Sequence, residues 1–447
     1  MRLCSKHVCA FVLLLALLAA PHGSPSAEEA AIELDVTVET LDNGLEVILL
    51  EDHSVPVISY WTFFRVGARN ERPGITGISH FMEHMMFNGT EKYGPQEFDR
   101  VLEANGGYSN AFTSSDMTAY YEDFSSDVLE LIVDLDSDRM QSLALDPQYI
   151  ESELGVVKEE RRLSIDNSVE GQMYEELFGL AYKAHPYSWP VLGWMSDLEN
   201  MQREDCVDYF RVYYAPNNAV LIVAGDFDTD EALALIHRYY DDIPAQEPPA
   251  PVRTEEPEQL GERRARVHRP AELPQIIIGY HGPSAGSDDL YALDVLQALL
   301  TKGDSSRLYK KLVRDLGIAI NVDSWFGWKI DPGLFIFDVK MKPGEDAAAG
   351  EEAIYSELEA IAENGVSEEE LARVRKTLEA DFIRSMQRVN GKARKIGRYE
   401  ILFGDYTMIP KVPGLYRAVT NDDIQRVVRT YFTEKNRNVV TLVPEKS

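Results

Sequence analysis

Residues 242–262, DIPAQEPPAPVRTEEPEQLGE, carry proline and glutamate with no apolar period. Such a stretch supports neither an amphipathic helix nor a half-buried strand, so it divides the chain. The same succession of elements is predicted on both sides. Before it, IELDVTVETLDNGLEVILL alternates across a DNG hairpin turn, and VISYWTFFRVG at 57–67 is a strand. Helix signals follow from Gly77, then a short helix over 95–107, a strand pair over 108–124, helices over 125–142 and 147–165, and the strand NAVLIVAGDF. After it, PQIIIGYHGP is a strand, residues 288–317 a helix pair, GLFIFDVKMKPG a strand, 347–359 and 367–400 long helices, and RNVVTLVP a last strand. Strand, helices, strand, helices, strand thus occurs twice. The predicted class is α+β, two homologous α/β-sandwich domains.

The start of the chain is of another kind. Arg2 and Lys6 precede the apolar run VCAFVLLLALLAA, and PHGSPSA follows it. This is the pattern of an export signal, and the run is too short for a membrane span. Cleavage after Ala27 is expected, with Ala20 as the other site and an uncleaved anchor as the rival reading. The expected division is therefore a signal peptide at 1–27, a first domain at 28–245, a linker at 246–262 and a second domain at 263–447. Export implies a periplasmic or secreted product. Of three cysteines only Cys206 lies beyond residue 27, so the mature chain forms no internal disulfide. Removing Arg2 and Lys6 moves the formal charge from −31 to −33. A surface of that sign repels nucleic acid and anionic lipid, so neither nucleic-acid binding nor stable membrane insertion is expected.

GISHFMEHMMFNGTEKYG, residues 77–94, holds His80, Glu83 and His84. On a helix the two histidines lie one turn apart on one face, where both imidazoles reach a single ion. Glu83 borders that face, badly placed to coordinate but within reach of a water on the ion. The order H-x-x-E-H is the reverse of the H-E-x-x-H arrangement. Two surface histidines near an acid would satisfy the spacing alone. The neighbours argue otherwise: Ile78, Phe81, Met82, Met85, Met86 and Phe87 make the helix apolar, and ionisable groups on a buried helix need a reason. A catalytic zinc takes three protein ligands and keeps one position open. YIESELGVVKEERRLSID, 149–166, offers the third on a helix whose inward side is read from Leu154, Val156, Val157 and Leu163. Glu153 and Glu160 share a face of it, and Glu159 is rotated off. The alternative is a glutamate paired with Arg161 or Arg162.

These segments resemble the zinc peptidases of the pitrilysin/insulinase type, and within them the single-motif, two-domain processing-peptidase-like members. DNGLEVILLEDHSVPVISYWTFFRVGARNE is similar to the family's opening hairpin, NGGYSNAFTSSDMTAYY to its active-site edge strand, ESELGVVKEE to its distal glutamate helix, HPYSWPVLGWMSDLENM to a following segment, and YYAPNNAVLIVAGDFD to the close of its first domain. The resemblance covers nearly the whole mature chain. It implies Zn2+ as cofactor, held by His80, His84 and Glu160, with Glu153 as an outer acid that orients the site and Glu83 as general base. It also implies a peptide substrate added as a strand along Asn110, Ala111, Phe112 and Thr113. Asn110 as a turn cap and Phe112 as core are the rival readings.

One departure bears on partners. The family's second domain carries an arginine and a tyrosine seven residues apart. In LVRDLGIAI, 312–320, Val313 and Ile320 stand at those positions, and Arg314 is displaced by one. Neither valine nor isoleucine donates a hydrogen bond. The resemblance then implies the zinc-bearing subunit of a heterodimer whose homologous partner supplies the arginine and tyrosine. The competing classes are a non-catalytic scaffold, a metal-storage module and a self-sufficient homodimeric peptidase.

Overall fold

The computed structural model describes residues 32–445, so the signal-peptide reading lies outside the described residues. Eleven strands form two sheets among those residues. The first contains β1 (Thr37–Thr40), β2 (Glu46–Glu51), β3 (Val57–Phe64), β4 (Tyr108–Thr113), β5 (Thr118–Ser125) and β6 (Ala219–Gly225), in the order β1-β2-β6-β3-β5-β4. The second contains β7 (Arg263–Pro270), β8 (Gln275–His281), β9 (Ala319–Phe326), β10 (Leu334–Met341) and β11 (Arg437–Glu445), in the order β7-β11-β8-β10-β9. With the β1 hairpin arm set aside, the two orders are the same. Each half ends by inserting its last strand between its first two, parallel to the first and antiparallel to the second. β6 is buried along its whole length, as the unbroken apolar run AVLIVAG requires of a strand covered on both faces. Residues 244–260 carry no helix or strand, yet Glu256 accepts the backbone N–H groups of Lys183, Ala184 and His185 at 2.8–3.1 Å, so the connection is pinned.

The two halves exchange a helix. The helix Val169–Ala181 leaves the first half, and its Met173 and Leu177 pack with Ile277, Leu334, Ile336 and Val440 of the second sheet. The helix Val389–Phe403 leaves the second half and lies on β3 and β6. Its Ile396 joins Ile48, Trp61, Phe63, Val220 and Ile222 in one core. The opposite face of the first sheet packs the helix Ile78–Met85, the motif helix. Polar ties repeat the exchange: Asn390 donates to Asp123 on β5 and Lys392 meets Asp52 at 2.5 Å.

Several sequence expectations are corrected. Residues 367–400 are two helices, Glu368–Ser385 and Val389–Phe403, because the chain turns at 386–388 so that the second can cross to the first sheet. β7 and β9 were not expected. β7 is an arginine-rich edge strand paired only with β11, and β9 begins at Ala319, so Ile320 sits on a strand. In the glutamate-bearing helix, Pro147–Arg161, only Leu154 and Val157 of the four proposed inward residues are buried. Val156 is 50 % and Leu163 65 % exposed: Val156 is a step of about 100° round the helix from Val157, and a π-helical turn at Arg162–Asp166 resets the phase before Leu163.

The docking of Val389–Phe403 depends on the absence of a side chain at Gly397. A Cβ there would stand 2.1 Å from Cε2 of Phe63 on β3. Gly397→Ala is expected to destabilise the protein by about 1–3 kcal/mol through overpacking. Gly179→Ala, in a helix with open space at that point, is expected to leave stability equal or slightly higher. Urea unfolding of the two variants beside the parent checks the pair.

Candidate metal centre

The motif helix is set at its N-terminus by a close backbone crossing. Gly77 starts it at φ 87°, and a Cβ there would lie 2.6 Å from the carbonyl oxygen of Leu192. Gly193, at φ 72°, would place a Cβ 2.1 Å from the carbonyl oxygen of Thr76. Only a glycine at each point lets the two segments pass. Glu71 satisfies the open first turn, its carboxylate accepting the N–H of Gly77 at 2.8 Å and of Ser79 at 2.9 Å. Burial pushes Glu71 up to about 8, against the pull of those two bonds. Asp197 accepts from Gly74, from the Thr76 N–H and from the Thr76 hydroxyl, fixing the loop that enters the helix.

From this helix His80, Glu83 and His84 project toward the glutamate-bearing helix, which begins at Pro147 with Asp146 as its N-cap. His80 and His84 stack edge to face with ring centres 4.7 Å apart. Oε2 of Glu160 lies 3.6 Å from Nε2 of His80 and 3.5 Å from Nε2 of His84. Those separations are too long for hydrogen bonds. They match the edge of a tetrahedron about a zinc ion, roughly 3.3–3.5 Å for bonds near 2.0–2.1 Å. One donor atom from each residue lies within 4.8 Å of the others. The arginines offered as alternative partners turn away. Arg161 bonds Glu175 and the carbonyl of Gly193, and Arg162 bonds Glu159.

The supporting atoms fix which nitrogen faces the centre. Nδ1 of His84 meets Oε1 of Glu153 at 2.7 Å, leaving Nε2 toward Glu160. Burial works against protonation of His84, but the bond to Glu153 and the charges of Glu153, Glu160 and Glu83 outweigh it and hold its pKa above the usual value. The same bond holds Glu153 low. Burial, then His84, depresses His80 to about 3, so its ring is a neutral donor. Burial raises Glu83. Thr113 on β4 donates its hydroxyl to Oε2 of Glu83 at 2.5 Å, tying the edge strand to the motif helix.

β4 ends the first sheet, with β5 as its one neighbour. Ala111 and Thr113 face the motif helix, whereas Phe112 packs edge-on to Trp61 and Phe63 on the other face. Asn110 bonds Tyr108 and the next backbone N–H. In the second half, Val313 packs against the core from a π-helical turn, Arg314 is exposed, and Ile320 is 47 % exposed on β9. Sequence reasoning gave no role to Glu71 or Asn88. Asn88 donates to the His84 carbonyl and to Oε2 of Glu153, and its place four residues after His84 was the available signal. Glu71 is signalled only by an acid ahead of the glycine-rich entry RPGITG.

Known proteins resemble the chain over most of its length. The family described as insulinase (peptidase family M16) matches residues 46–193, and that described as peptidase M16 inactive domain matches residues 200–378. The zinc protease PqqE of Helicobacter pylori is 32 % identical over 416 residues, covering 91 % of this chain and 92 % of that one. The uncharacterized zinc protease YmxG of Bacillus subtilis is 26 % identical over 395 residues, covering 88 % and 95 %. The crystal structure of a protease from Helicobacter pylori superposes with TM-score 0.89 at 31 % identity, over 92 % of this chain and 99 % of that one. The chain belongs to peptidase family M16. It is a zinc metalloendopeptidase, with a spatial His-His-Glu cluster of the kind that binds zinc in this family.

Removing either imidazole leaves two donors and an uncompensated site. His84→Ala is expected to lower bound zinc from about one per chain to below a tenth of that, measured by elemental analysis after gel filtration. Glu160→Gln, which replaces an anionic donor by a neutral amide, is expected to weaken zinc retention against a chelator at least tenfold.

Proposed function

We propose that this chain hydrolyses flexible polypeptide after export, as the zinc-bearing subunit of a processing-peptidase-like heterodimer, with 28–245 as its catalytic domain and 263–447 as its second. The observation that carries the site assignment is the pair of separations from Glu160 Oε2 to the two imidazoles, 3.6 and 3.5 Å. His80, His84 and Glu160 would hold the ion. Zinc, when bound, supplies a Lewis acid that polarises a carbonyl and acidifies water.

Glu83 is the general base in this reading. Thr113 holds its Oε2, and Oε1 takes a proton from the attacking water and returns it to the leaving amine nitrogen. Burial, which raises Glu83, brings its basicity closer to the working pH. Glu153 positions His84 and keeps its ligating nitrogen inward. The free edge of β4, over Asn110, Ala111, Phe112 and Thr113, takes the substrate as an added strand through main-chain hydrogen bonds, beside the residue that moves the proton. Such an edge accepts only extended chain, which favours unfolded substrates.

Export rests on the pattern of residues 1–27. Among the described residues no helix is long and apolar enough to cross a membrane. The partner rests on Val313 and Ile320, which offer no donor to a developing oxyanion. Glu83→Gln is expected to retain zinc and melting temperature while losing at least 10²-fold in kcat on a fluorogenic peptide. Wild-type turnover by that variant would remove Glu83 from the base role. The isolated chain, monodisperse by light scattering, is expected to turn over such a peptide at least tenfold more slowly than its mixture with a homologue that carries the arginine and tyrosine. Full activity in the isolated chain would refute the heterodimer and leave the peptidase assignment standing.

A further inference from the structure

The helix Val389–Phe403 carries Arg394, Lys395 and Arg398 within about one turn. They line a cavity of about 380 Å³ with Trp328, Phe382 and Tyr399, and no aspartate or glutamate lines it. In a chain with 75 acidic and 44 basic residues, that exclusion is notable. Among the described residues none of the three forms an ion pair with a carboxylate. Lys392, one turn earlier on the same helix, does so with Asp52. The Lys395 ammonium instead lies 4.6 Å from the centre of the Phe382 ring. Burial, followed by the charges of Arg398 and Arg394, pulls Lys395 down to about 8, and burial with Arg394 lowers Arg398. Asp294 stands behind the aromatic floor, where it accepts from Trp328 and Tyr416. Lys395 and Arg398 are half-buried and Arg394 is exposed, and the one carboxylate that acts on them, Asp116 on Arg398, does so without an ion pair, so the three cations form a site that a bound anion stabilises.

The cavity borders the strand on which the proposed substrate would dock. The Arg394 guanidinium lies 5.9 Å from the ring centre of Phe112. Side chains of β4 alternate, Thr113 and Ala111 toward the motif helix and Phe112 toward Val389–Phe403. A strand added beside β4 alternates in the same way, so every second substrate side chain faces the Phe112 side. We propose that Arg394, Lys395 and Arg398 form a subsite for a carboxylate of the substrate peptide, which makes this peptidase select acidic residues at one position on that side. The inference rests on the strand-addition reading above.

The test uses the full mature chain, with its partner if activity requires one, and a C-terminally amidated peptide series in which Glu, Gln or Lys is placed at each position in turn. At one position kcat/KM is expected to be about tenfold higher for Glu than for Gln, as a charge-assisted pair gives over a neutral one. R394Q/R398Q is expected to bring that ratio to about one, and Arg394→Glu to shift the preference toward Lys. The ratio is internal to each enzyme, so a general loss of activity does not imitate it, and damage to the fold does not create a preference for Lys. A matched set with free C termini separates a terminal carboxylate from a side chain, and a gain confined to that set assigns the same pocket to the substrate's C terminus. Absence of any Glu or terminal-carboxylate preference, or its survival in R394Q/R398Q, overturns the subsite. Cleavage of the Gln series reads the peptidase proposal separately. If nothing is cleaved, fluorescence anisotropy with labelled Glu and Gln peptides reads the same ratio as relative affinity.

Discussion

The approach of two helices sets everything else at the centre. Glu160 reaches the imidazoles of His80 and His84 from a helix that starts more than sixty residues further along the chain. With Glu83 and Glu153, five ionisable groups are brought together in partly buried surroundings, at a desolvation cost of several kcal/mol that only pairing or a metal offsets. The helices are held from outside the cluster. Glu71 and the Gly77–Gly193 crossing fix where the first begins, and Asp146 fixes the second. The chemistry is therefore placed by capping and backbone approach, and the zinc-facing side chains follow.

The exchange of helices gives the second half a structural part in the first, although its residues at 313 and 320 are apolar. One face of the first sheet packs the motif helix, and the other is sealed by Val389–Phe403. Phe112 of β4 points toward that sealing helix, in contact with Trp61 and Phe63. The second half thereby packs against β4, whose Thr113 donates to Glu83. If β4 takes the substrate as proposed, it has to stay flat and open, a liability for an edge strand in most proteins. Here its far face is anchored by aromatic packing and its near face by the hydroxyl of Thr113.

Much of the centre was legible in the residues. The i, i+4 spacing put His80 and His84 on one face, and seven residues put Glu153 and Glu160 on another. The structure brings those faces together. The apolar strip of the second helix was read too widely, since Val156 and Leu163 are exposed. A 3.6-residue period assigns faces only while the helix stays regular, and the π-helical turn at Arg162–Asp166 breaks it. Glu71 escaped notice because its role is to meet backbone N–H groups, and no side-chain spacing records that.

The sequence by itself determined most of the succession of strands and helices in each half, though not β7 or β9, together with the apolar centre of each sheet and the identity of the chemical groups, because periodicity and turn chemistry are local. It also showed that the order occurs twice. Tertiary structure alone decided that the two sheets share one topology, that each half lends a helix to the other, and that three cations of the second half gather beside an edge strand of the first. Those facts depend on contacts between residues hundreds of positions apart, such as Gly397 against Phe63, where the deciding quantity is the room left by a missing side chain.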